Sequence, residues 1–148
     1  MQMNFPVSAL IGWCQRIYGE RAFALTPYAY VFDFGAVTQN VPATEHVEIS
    51  ANADFVMTGL ALQYDEIDGS PWLSGTRLLL SDSGTGAQLS SSALLLANQM
   101  GNYYGDLSTL PYPWWLAGNT SLTAQLLLKA NSQSMLRVVL NGFQVRVF

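Results

Sequence analysis

The single histidine, His46, sits in the run Glu45, His46, Val47, Glu48, Ile49. On an extended backbone, side chains two apart share a face, so His46 and Glu48 point the same way. An imidazole beside a carboxylate can hold a metal or relay a proton, but a metal centre needs further nitrogen or sulfur ligands. The neighbourhood in sequence supplies none, and the pair reads as a solvent-facing polar stretch of a half-buried strand. A Ser-His-Asp triad would have to use His46, and no Gly-x-Ser-x-Gly elbow accompanies it. Asp65, Glu66 and Asp68 beside Gly69 bring three carboxylates together, the hard oxygen donors that calcium takes. Their spacing departs from the helical calcium loop, and they read as a solvated hairpin tip. The one cysteine, Cys14, excludes an internal disulfide and a cysteine-rich metal site. Asn119, Thr120 and Ser121 form an N-glycosylation acceptor triplet, with no recognisable secretory signal to support its use. No catalytic set, cofactor or metal is expected from these residues.

Leu79, Leu80, Ser81, Asp82, Ser83, Gly84 and Thr85 resemble the active-site strand and turn of retroviral-type aspartic proteases. In that family two chains each contribute one aspartate, and a shared proton lets the pair activate water. The resemblance implies that Asp82 would be that aspartate. Gly86 stands where the family pattern has no glycine, and neither a glycine-rich flap nor a family-like second half follows. The same residues have the composition of a β-hairpin loop, which is the preferred reading, with the dimeric protease kept as an alternative.

The aromatic residues Trp72, Tyr103, Tyr104, Tyr112, Trp114 and Trp115 fall mostly in stretches that read as loops. Loop tryptophans on a β-sandwich can form a sugar-stacking platform, anchor a subunit contact, or plug the ends of the sandwich. Trp114 and Trp115 are adjacent, so on an extended segment one faces the core and the other faces outward.

Composition tilts the balance among these uses. Only 11% of the 148 residues are charged, against roughly 25% in an ordinary soluble domain. There is one lysine, Lys129. The surface must therefore consist of Ser, Thr, Asn, Gln and exposed apolar groups, which favours protein contact over sugar binding. A net charge of −4 with scattered basic residues argues against nucleic acid as a partner. No apolar run reaches the ~20 residues of a membrane helix, so no membrane partner is expected.

The elements that position these residues are mostly strands. Residues 8–20 read as a short helix capped by Ser8, with Leu10, Ile11, Cys14, Ile17 and Tyr18 on one side. Such a helix serves either as a lid on the core or as an arm onto a neighbouring subunit. From residue 24 the pattern turns to β, with Tyr28, Tyr30, Phe32 and Phe34 on one face. Further strands are predicted over 45–50, 54–64, 76–82, 92–98 and 120–130, the last with Leu122, Ala124, Leu126 and Leu128 inward. Residues 135–140 and 143–148 are either one strand bent at Asn141 and Gly142 or a hairpin turning there. Short strands separated by turns, without alternating helices, predict an all-β antiparallel sandwich or jelly roll. Residues 1–24 form its N-terminal arm and 25–148 the sandwich.

The segment from Leu110, Pro111, Tyr112, Pro113, Trp114 and Trp115 through Val138, Val139, Leu140, Asn141, Gly142 and Phe143 resembles small virion proteins of tailed bacteriophages. Those proteins show a proline-aromatic segment, a strand with a polar turn such as Lys129 to Ser132, and a final strand. Residues 51–56, after the strand around Val47 and Ile49, fit the same picture, and the resemblance covers residues 40–148. It implies a non-enzymatic structural protein of the virion, assembled in the host bacterial cytoplasm, that decorates or cements the head. Its expected partners are itself, as a dimer or trimer, and the major capsid protein or other virion proteins. A collar or tail protein and a carbohydrate- or receptor-binding module are the alternatives. The contacts are expected at Trp13, Ile17, Tyr18, Trp72, Trp114 and Trp115.

Overall fold

In the computed structural model, residues 7–64, 76–83, 86, 94–95, 108–129 and 133–148 are described. Among the described residues a helix, α1 (Val7–Tyr18), precedes eight strands. These are β1 (Phe23–Val37), β2 (Ala43–Glu48), β3 (Asp54–Tyr64), β4 (Arg77–Asp82), β5 (Leu94–Leu95), β6 (Ser108–Leu116), β7 (Ser121–Leu127) and β8 (Gln133–Val147). They form two four-stranded antiparallel sheets, here sheet A in the order β1-β8-β3-β6 and sheet B in the order β2-β7-β4-β5. The pairings are nested: first strand with last, second with seventh, third with sixth, fourth with fifth. That is one long antiparallel hairpin rolled into two facing sheets, the topology of a jelly roll.

The two sheets enclose a core that includes Phe32, Phe55, Met57, Leu60, Leu80, Leu116, Leu122, Leu126 and Leu136, each nearly or fully buried. Tyr30 meets Phe55 edge to face, with ring centroids 4.8 Å apart. The tyrosine hydroxyl accepts a hydrogen bond from the Ser50 amide at 3.0 Å, so its polar end is satisfied inside the apolar layer.

Long strands keep their apolar faces inward by changing phase. In β1 the inward positions are Tyr30, Phe32 and Phe34, then Val37; in β3 they are Phe55 and Met57, then Leu60 and Leu62. Each switch from even to odd or odd to even coincides with a register shift, around Gly35 in β1 and between Met57 and Gly59 in β3. These are β-bulges, which insert a residue without a partner and reverse which side chains face the core. Gly35 takes the left-handed φ of 61° that the first bulge requires.

Residues 133–147 form one strand, settling the alternatives at Asn141 and Gly142 in favour of continuity. Gly142 lies opposite Met57, beside the β3 bulge. A Cβ at this position would come within 2.0 Å of the Val56 carbonyl oxygen, so only glycine permits the approach.

The stretch around Leu110 to Trp115, expected as loop, is strand β6 at the edge of sheet A. Its prolines Pro111 and Pro113 demote it in a sequence reading because they remove ladder donors. An edge strand tolerates them, since one side of its backbone has no partner to lose.

Candidate functional site

The outward face of sheet A carries a second apolar layer. Val56 of β3 and Val145 of β8 are buried there, with Phe23 and Leu25 of β1, Phe143 of β8 and Trp115 of β6 packed around them. These side chains alternate with those in the sandwich core, as strand geometry requires. They would face solvent but for α1, which lies over them and buries Leu10 and Cys14 completely. Helix periodicity places Leu10, Cys14 and Tyr18 on the buried side. Ile11 and Ile17 sit on the flanks, 39% and 41% exposed.

A polar node closes this cap. The Tyr18 hydroxyl donates to Asp54 Oδ2 at 2.8 Å and accepts from Trp115 Nε1 at 2.8 Å. The second oxygen of Asp54, Oδ1, accepts the Gly118 amide at 2.8 Å. One carboxylate thereby ties the helix, the start of β3 and the turn after β6 together. Burial, reinforced by the bond to Asp54 and the charge of that carboxylate, pushes the Tyr18 phenol well above its ordinary value, against the opposing effect of the Trp115 indole N–H. Burial likewise raises the Cys14 thiol, which lies between the helix and sheet A. The chemistry of this node is attachment: a neutral phenol, an engaged carboxylate and a shielded thiol.

The residues expected at contacts are distributed as follows. Trp13 and Tyr18 are half-buried against the second apolar layer, and Ile17 is exposed beside them. Trp114 and Trp115 face opposite ways, Trp114 against the inter-sheet core and Trp115 under α1. Both are half-buried, and the Trp115 indole N–H is occupied by Tyr18, so the pair builds no open aromatic platform. Tyr112 lies on β6 rather than in a loop. Trp72, Tyr103, Tyr104 and the loop of Asp65, Glu66 and Asp68 lie outside the described residues.

His46 and Glu48 do share the exposed face of β2. His46 Nδ1 lies 2.9 Å from Thr123 Oγ1 of β7, a cross-strand polar pair on sheet B. Among the described residues, no three His, Cys, Asp or Glu side chains group to hold a metal ion. Asp82 ends β4 with its side chain in the sandwich interior, 2% exposed. The following Ser83 exchanges two hydrogen bonds with Ser121, one through its amide and one through its Oγ, and the Gly86 amide donates to the Asp82 carbonyl. Ser83 is thus bound to the start of β7 and Gly86 to the end of β4.

The acidic node at Asp54 is the feature that sequence reading misses. Its only signal is a carboxylate at the first position of a strand whose next residues are apolar on both faces. Its partners lie 36 and 64 residues away in the chain.

Among the described residues no helix is long and apolar enough to cross a membrane. No protein-family model and no curated protein matches the chain. Among solved structures the chain is similar to the crystal structure of dimeric latent PorU from Porphyromonas gingivalis, at 11% identity and a TM-score of 0.33. That likeness covers 83% of this chain and 13% of the other, and at so low a score it bears on neither fold nor function.

Proposed function

We propose that the chain is a non-enzymatic structural component of a tailed-phage virion, a capsid decoration or cement protein acting as a homo-oligomer. The observation that carries this reading is the surface. A jelly roll with few charges leaves Ile11, Ile17, Tyr28, Val31, Val41 and Phe148 exposed, and exposed apolar groups on a weakly charged body suit a protein that works in contact with others. The jelly roll itself serves capsid proteins, lectins and cupins alike, so the fold agrees with the role without selecting it. A cement protein adds modest contacts at many equivalent positions, and their multiplicity offsets the pressure of packaged DNA. Trp114 and Trp115 face opposite ways and pack partly against the subunit's own layers, which lends a glycan-binding reading of these two residues less support.

The test is co-sedimentation of the purified protein with shells of the particle that encodes it, prepared without the protein. Saturable binding at a fixed ratio to capsomers, with raised resistance of the shell to heat, is the expected result. Absence of binding at micromolar protein would overturn the proposal.

A further inference from the structure

An open groove of about 710 Å³ runs between α1 and the start of β1. Ile11, Gln15, Phe23 and Leu25 line it together with Glu20 and Arg21 of the connecting turn. Phe23 and Leu25 are half-buried: they pack into the layer beneath α1 and also contribute to the groove. Glu20 and Arg21 are exposed and adjacent, and among the described residues the one ion pair is Asp33 with Arg137, elsewhere on sheet A. In a chain this poor in charge, a carboxylate and a guanidinium side by side in the lining of a groove that also carries Ile11, Phe23 and Leu25 form a surface that complements itself. A two-fold axis brings each sign against the opposite one, whereas a rim of one sign would repel its copy. Association through the strand edges of sheet A is disfavoured, because Pro27 lies in the edge strand β1 and Pro111 and Pro113 in the edge strand β6.

We propose that this groove is an isologous contact between two copies of the chain. Ile11 of each copy seats on Phe23 and Leu25 of the other, and Glu20 of each faces Arg21 of the other. This deepens the homo-oligomer reading above and rests on it, by naming the surface and the occupant.

The test is sedimentation velocity of the full chain over a concentration series. Wild type is expected to dimerise. Ile11→Asp and Glu20→Arg should each weaken the dimer at least tenfold, and the double variant Glu20→Arg with Arg21→Glu should return it to within about threefold of wild type, since the swap restores complementarity. Ile11 and Glu20 are exposed, so both variants are expected to fold, and unchanged circular dichroism with a protected Cys14 thiol checks this. Thr123→Asp on sheet B is the control and should leave the dimer intact. A wild-type monomer at all concentrations, an oligomer that Ile11→Asp leaves whole, or a double swap weaker than Glu20→Arg alone overturns the contact. Shell binding is scored separately. Dimers that bind no shell overturn the virion role alone, and shell binding by a protein that never dimerises overturns this contact alone.

Discussion

The two sheets of the sandwich share an interior but differ in what they turn outward. Sheet A presents Phe23, Leu25, Val56, Trp115, Phe143 and Val145, and a helix covers them. Sheet B presents Thr44, His46 and Glu48 on β2, which stand in solvent, with Thr123 and Gln125 on β7 beside them. Both faces obey the same alternation of side chains along a strand. The difference is whether the outward set is polar, as in β7, or apolar, as in β3 and the second half of β8. A strand that alternates needs one covering layer, and a strand that is apolar on both sides needs two. Helix α1 is the second layer for sheet A, and the Tyr18–Asp54–Trp115 node holds it in place.

This contrast can be broken by mutation. The largest effect is expected from Val145→Asp, which puts a carboxylate under the helix without a partner. It should cost about 4 kcal/mol or more in urea unfolding, while Thr123→Asp on the open face should stay within about 0.5 kcal/mol. Equal costs would mean that α1 is no true third layer. Leu10→Ala comes next, with an expected loss of about 2–4 kcal/mol from the cavity left between helix and sheet. Labelling of Cys14 by a thiol reagent should speed up in the same variant.

Tyr18→Phe should cost about 1–3 kcal/mol, because it leaves the Asp54 and Trp115 groups short of a partner. It also sharpens the pH dependence. The folded-state phenol is raised above its ordinary value of 10.0, so its contribution is complete below pH 10 and is lost as the pH rises through the folded value. Wild type should therefore lose stability above pH 10 more steeply than Tyr18→Phe, measured as the shift in urea midpoint; parallel curves would show that Tyr18 is not the group responsible. Arg137→Ala should have the smallest effect, at most about 1 kcal/mol, since its pair with Asp33 at 3.2 Å is largely solvated. A larger loss would make the open part of sheet A more dependent on charge than the capped part.

Much of the sandwich follows from local pattern. The strand expected over residues 54–64 is β3, and the inward set of Leu122, Ala124, Leu126 and Leu128 is buried as the alternation of that segment requires. Tyr30, Phe32 and Phe34 are inward, whereas Tyr28 on the same face remains 46% exposed. Strand β6 escapes a local reading because Pro111 and Pro113 argue against a strand until it is known to lie at an edge. The opposite orientations of Trp114 and Trp115 follow from extended geometry alone, but what Trp115 meets does not, since Tyr18 is 97 residues away.

The sequence by itself determined the all-β class, the inward faces of the regular strands, the shared face of His46 and Glu48, and the amphipathic N-terminal helix. Each depends on side-chain periodicity, which acts over a few residues. The tertiary structure decided which strands pair, where the bulges at Gly35 and Thr58 reverse the inward set, that Gly142 admits the Val56 carbonyl, and that α1 closes on its own sheet. Those outcomes depend on nested pairings as distant in the chain as Phe23 with Val147, and on close approaches of backbone that no local pattern encodes.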